Sequence, residues 1–297
     1  MKIVILFAVF FVCRIFQNIF TKRTSGLVNG RTQLLTYTSY QYLLCMLLSL
    51  PAFLSAKAAF PTTPALIWAV IGGIAMFSSS MCCLMALKSG VLFILTTLFS
   101  SISIMIPNTA SIFLFSEKMS IAQWIASAAL IYSAYLLLGC SKEAYKSFSF
   151  KSILFLIGIF LAEGFTMLSS KAYAAYAPNA DAAFYTSFAF GTSFLLTGLM
   201  SFLDIRKTKA AFSSVMNKKL YLSGFVLSSM LFIIMYLSTI AAGLVPAVIL
   251  YSVVSGGSLI LSLLTARIFF KEPVTQKNTI GLAIAIIALI VINTMTA

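Results

Sequence analysis

Ten apolar runs follow one another through the chain, and no gap between them exceeds about 20 residues. They cover residues 3–21, 35–56, 65–87, 91–115, 121–140, 152–174, 182–203, 219–241, 244–269 and 278–295. A helix rising 1.5 Å per residue needs about 20 apolar residues to cross the hydrocarbon layer of a bilayer. The runs are continuous and lack the period-two alternation of barrel strands, so each reads as a spanning helix. The first run does not read as a cleaved leader, because Arg14, Gln17 and Asn18 interrupt it and no A-x-A site follows.

Composition agrees with a lipid solvent. Of the 297 residues 61% are hydrophobic and 9% are charged, against about 45–50% and about 25% in a soluble chain. Too few charges remain to cover a soluble surface. The net charge is +14, but the basic residues sit in short gaps between apolar runs, where lipid headgroups meet them. The partner implied is the bilayer, not nucleic acid.

Several chemistries are excluded. The chain has no histidine, and its five cysteines (Cys13, Cys45, Cys82, Cys83 and Cys140) form no C-x-x-C pair. They read as small apolar filler rather than as metal ligands. Neither a Walker motif nor a G-x-S-x-G elbow occurs. The expectation is therefore a protein that is not an enzyme and that carries no metal and no cofactor.

The punctuation marks helix ends and one kink. Pro51, Pro61, Pro64, Pro178 and Pro273 lie near run boundaries, and Pro246 falls in a first turn, where proline is tolerated. Pro107 lies inside the fourth run, beside Asn108, and predicts a kink there. Ser255-Gly256-Gly257-Ser258 thins the ninth helix and suits close helix packing.

The chain reads as one unit written twice, with residues 1–146 as the first copy and 147–297 as the second. Glu117 corresponds to Glu272, Ser120 to Thr275, Gln123 to Asn278 and Ile125 to Ile280. At an offset of 149, Lys2 matches Lys151, Arg14 matches Glu163 and Lys22 matches Lys171. Five spans per copy is an odd number, so the second copy runs upside down relative to the first, as in many secondary transporters. The expected fold is an all-α integral membrane protein of ten transmembrane helices in two inverted five-helix repeats. Ser120-x-x-Gln123 also reads as a capping box for the fifth helix.

This pattern resembles the drug/metabolite transporter superfamily, specifically its ten-helix EamA-like branch. The likeness rests on ten spans, two five-helix halves and the acidic turn before the fifth and tenth helices. The segment from Leu161-Ala162-Glu163 to Lys171 is also similar to the first helix of small multidrug resistance proteins. There an embedded glutamate, eight residues before a lysine, binds protons and cationic substrate in competition. The resemblance thus implies proton coupling and substrate binding at Glu163. The first half carries Arg14 at the matching position rather than an acid.

Arg14 and Glu163 each lie 12 residues past the lysine that opens their helix, about 18 Å at helical rise and close to mid-depth. A charge there costs at least about 2.5–3.5 kcal/mol on insertion scales, so both should face the bundle interior. Two readings stand: a structural ion pair, or a substrate site lined by opposite charges. In the second, the guanidinium grips a carboxylate and the carboxylate receives an ammonium or a proton. Gln17 and Asn18, three and four residues beyond Arg14, share its neighbourhood. Gln41, Asn108, Tyr236 and Tyr251 are further candidates for a cavity wall. Asp181 reads as a helix cap, and Asp204 and Glu143 as solvated loop residues.

The functional expectation is a secondary transporter of a small polar metabolite, amino-acid-like or another zwitterion, working by alternating access with proton coupling or exchange. The alternative is a proton-coupled exporter of drugs and quaternary cations. The location expected is the plasma (inner) membrane, as a multi-pass monomer or homodimer. The positive-inside count places both termini outside the cytoplasm, whereas the family's habit places them within it.

Overall fold

The computed structural model describes residues 2–28, 30–56, 60–91, 93–115, 120–138, 150–208, 216–271 and 276–294. Glu117, Glu143, Glu272 and Thr275 lie outside the described residues.

The described chain is helical: α1 (Lys2–Leu27), α2 (Gly30–Ser55), α3 (Thr63–Lys88), α4 (Phe93–Ile102), α5 (Met105–Phe115), α6 (Ile121–Leu138), α7 (Phe150–Tyr176), α8 (Ala182–Thr208), α9 (Lys218–Leu244), α10 (Ala247–Phe270) and α11 (Gln276–Thr294). Seven helical stretches are long and apolar enough to cross a bilayer, the makeup of a multi-pass membrane protein. These are α1, α3, α4 with α5, α7, α8, α9 and α10. The shorter apolar stretches lie in α6 and α11, and α2 carries many hydroxyls.

The kink falls where proline chemistry places it. Pro107 has no N–H to give the Ser103 carbonyl four residues back. The Ile106 N–H takes that carbonyl instead, at 3.0 Å, and the Asn108 N–H resumes the ladder on Ile104. The run therefore splits into α4 and α5 around Ser103 and Ile104. The capping box forms as well: the Ser120 N–H donates to Gln123 Oε1 at 2.9 Å and the Gln123 N–H to Ser120 Oγ at 3.3 Å.

Hydroxyls and glycines bring the helices together. Thr36 and Ser201 meet at 2.9 Å, and Ser187 donates to Ser49 at 2.9 Å, two rungs between α2 and α8. A β-carbon on Gly73 would lie 2.5 Å from the Ala189 carbonyl oxygen and 2.7 Å from Thr192 Cβ, so α3 and α8 approach there only because Gly73 has none. Gly257 plays the same part for α10, where the Phe11 ring occupies the space a β-carbon would need.

Specific contacts assign helix ends to two faces. On one face Lys88 Nζ donates to the Gly30 carbonyl and Ser152 donates to Ser89. Val28, Leu34, Leu84, Met216 and Leu220 cluster there, and the rings of Phe93 and Phe270 meet edge to face. Asp204 also belongs to this face. It lies within α8, accepts from Thr32 Oγ1 at 2.6 Å and pairs with Arg31 Nε at 3.6 Å. That corrects its reading as a solvated loop residue: the partners are 172 and 173 positions away in sequence. On the opposite face Thr62 donates to the Tyr176 carbonyl, Tyr173 to the Asp181 carbonyl and Lys171 to the carbonyls of Ala242 and Val245. The first face carries Lys22, Arg23, Arg31, Lys88, Lys151, Arg206, Lys207, Lys218 and Lys219 at its helix ends.

Candidate functional site

Arg14 on α1 and Glu163 on α7 face a common space. Helices α3 and α9 each pack against both α1 and α7 and keep them apart. The cavity between them has a volume of about 150 Å³. One water needs about 10–15 Å³ on the same measure, so several waters or a small solute fit. Of the residues the sequence singled out, Arg14, Gln17, Asn18, Gln41 and Glu163 all border it. Thr21 and Phe93, near the basic ends of α1 and α4, border it too. The space thus runs from mid-depth toward the basic face. Away from that face, packed aromatic groups fill the bundle: Tyr173, Tyr185, Phe184 and Phe190, against Tyr42 on the cavity wall, in one cluster, and Phe10 with Tyr251 in another.

The two charges do not neutralise each other. No ion pair joins Arg14 and Glu163 among the described residues. Arg14 Nη1 instead donates to Gln17 Oε1 at 2.7 Å, one helical turn along α1. Arg14 Nε is buried without a hydrogen-bond partner. Glu163 Oε1 accepts from Ser79 Oγ at 2.5 Å across the α3–α7 contact. The thiol of Cys83 borders the same cavity, within electrostatic reach of both charges.

The remaining polar groups tie helices to the cavity wall. Asn18 Nδ2 donates to Ser262 Oγ at 2.9 Å, joining α1 to α10. Ser228 donates to the Gln41 carbonyl at 2.9 Å, joining α9 to α2. Lys171 is not at the cavity; it caps the carbonyl end of α9, where a cation suits the helix dipole. Asp181 caps α8 by accepting from the Ala183 N–H at 2.8 Å.

Three of the candidates lie elsewhere. Asn108 is buried on α5, which packs on α7 and α10, and its Oδ1 has no partner. Tyr236 stacks on Phe232 with ring centroids 5.8 Å apart and lies beside Asp181, toward the opposite face. Tyr251 is fully buried and donates to the Met167 carbonyl at 2.6 Å, a lock between α10 and α7. The sequence reading also passed over the hydroxyls that line the space: Ser79, Ser80, Thr96, Thr97 and Thr166. Their signal was present as hydroxyls clustered in otherwise apolar runs.

No protein-family model and no curated protein matches the sequence. Among solved structures, a crystal structure described only as that of a protein superposes with a TM-score of 0.70 at 14% identity, over 98% of this chain and 98% of the other. That likeness is one of fold.

Proposed function

We propose that this chain is a secondary transporter that moves a small zwitterion, amino-acid-like in its charges, across the plasma membrane by alternating access. The observation that carries the reading is the pair of opposite charges at mid-depth, Arg14 and Glu163, bordering one cavity without forming an ion pair. Unpaired charges at that depth are costly. A solute with a carboxylate at one end and an ammonium at the other satisfies both.

The architecture of this reading is ten spans in two inverted halves, counting α4 with α5 as one span. Helix packing supports it, because contacts recur when each helix is replaced by its counterpart five spans along. The α3–α7 contact becomes α1–α9, α3–α8 becomes α2–α9, and α1–α10 becomes the contact of α4 and α5 with α7; all are present. Polarity supports it too. Helix α1 ends on the basic face where α7 begins, α2 begins there where α8 ends, and α3 ends there where α9 begins. Two halves of like fold and opposite orientation can exchange shapes and so expose one site to each side in turn. The architecture is that of the EamA-like drug/metabolite transporters, and Glu163, held by Ser79, is the group through which a proton would couple.

Counterflow in proteoliposomes tests the reading. Labelled amino acids, nucleobases and quaternary amines are offered to folded protein. Accumulation of an amino acid supports it. Folded protein that accumulates no amino acid contradicts it.

A further inference from the structure

The hydrogen bonds of the cavity wall sort it into a donating side and an accepting side. A hydroxyl has one proton to give. Thr96 and Thr97 both give theirs to the Phe93 carbonyl, at 2.8 and 3.0 Å, and Thr166 gives its own to the Ala162 carbonyl at 2.9 Å. Ser79 gives its proton to Glu163. Tyr42 donates to the Met76 carbonyl at 2.7 Å, so Ser80, 2.6 Å from the phenol oxygen, donates to Tyr42. Five of the six lining hydroxyls on α3, α4 and α7 thus have no proton left for a solute, Ser100 on α4 being the sixth. They offer lone pairs, beside the second oxygen of Glu163. The opposite wall, on α1, is different. It presents the guanidinium of Arg14 and the amide N–H groups of Gln17, whose oxygen is already taken by Arg14.

We infer that the cationic end of the solute must carry N–H protons, so that the site takes primary or secondary ammonium groups and rejects quaternary ones. This rests on the zwitterion reading and narrows it. A carboxylate surrounded by lone-pair oxygens stabilises an ammonium by hydrogen bonds that are stronger for being charge-assisted. A trimethylammonium has the same charge and no proton to give. It would strip water from Glu163 and from the hydroxyl oxygens without replacing a single bond. Quaternary groups are held instead by aromatic cages; here Tyr37, Tyr42 and Phe93 border the cavity, but the carboxylate that would take the cation is held by a hydroxyl, Ser79, with Thr166 one turn along its own helix.

The test is equilibrium binding to the purified full-length chain in detergent. The probes are L-alanine, L-serine and L-leucine, each paired with its N,N,N-trimethyl derivative, so that charge and carboxylate are constant within a pair. The expected result is binding of at least one parent amino acid, with its trimethyl derivative at least about tenfold weaker, the effect of losing a hydrogen bond to a charged group. A trimethyl derivative that binds as tightly as its parent overturns the inference and leaves the zwitterion reading standing. Binding of neither member of any pair overturns the zwitterion reading and the inference with it.

Discussion

Arg14 and Glu163 border one cavity and leave each other unpaired. The guanidinium is held by Gln17 on its own helix and the carboxylate by Ser79 on a neighbouring one. Each charge is therefore anchored separately, and the space between them is free for a solute.

This separation predicts how the two residues respond to neutralisation. Breaking a true buried ion pair costs about 3–5 kcal/mol, because one charge is stranded. Arg14→Gln and Glu163→Gln should each cost less than about 1.5 kcal/mol, the scale of one hydrogen bond, while transport is lost. Thermal unfolding in detergent, run beside uptake, checks this. A steep loss of stability in both single variants, recovered in the double variant, would mean an ion pair after all.

Asp204 should behave as a clamp between α2 and α8. Asp204→Ala removes the acceptor of Thr32 and the partner of Arg31, and should lower stability by about 1–2 kcal/mol. Asp204→Asn keeps an acceptor for Thr32 and should recover most of that loss. The same denaturation measurement reads both.

At Gly73 the neighbour is backbone and cannot step aside. Gly73→Ala should force α3 away from α8 at a cost of about 1–3 kcal/mol. Gly243→Ala, where the nearest atom to a new β-carbon is Ala174 Cβ at 3.9 Å, should be close to neutral. Comparing the two melting temperatures separates crowding from any general effect of adding a methyl group.

Orientation follows from the basic face. That face should be cytoplasmic, which leaves Ala297 outside. A reporter active only in the cytoplasm, fused after Ala297, should be silent. In a chain whose five native cysteines, Cys83 at the same cavity among them, are replaced by serine, a cysteine in place of Thr21 near the basic face should react with a membrane-impermeant thiol reagent from the cytoplasmic side. A working reporter, or labelling from the outside, reverses the assignment.

Much of the fold was legible because lipid imposes simple rules. Continuous apolar runs became helices, proline broke the fourth run at the carbonyl it could not serve, and Ser120 and Gln123 capped each other as their spacing implied. Arg14 and Glu163 could be placed at one depth because helical rise is fixed. The rest depended on which face a residue presents. Asn108 and Tyr251 have the right chemistry, but both are buried in packed helix interfaces rather than turned into the cavity, and Tyr251 lies only four residues into α10, nearer the opposite face. Asp204 was misread because nothing local announces Thr32 and Arg31. The lining hydroxyls were overlooked because serine and threonine in an apolar helix usually satisfy themselves on their own backbone, as Thr96 and Thr97 do here. Only the fold shows that they also border the cavity.

The most direct measurement pairs each charge with the end of the solute it is said to hold. Binding to the wild-type chain is compared for an L-amino acid, its decarboxylated amine and its deaminated acid, and then repeated with Arg14→Gln and Glu163→Gln. The account predicts that the wild type prefers the zwitterion, that Arg14→Gln loses the preference over the amine, and that Glu163→Gln loses the preference over the acid. A wild type that binds all three alike, or variants that weaken all three in equal measure, would contradict it.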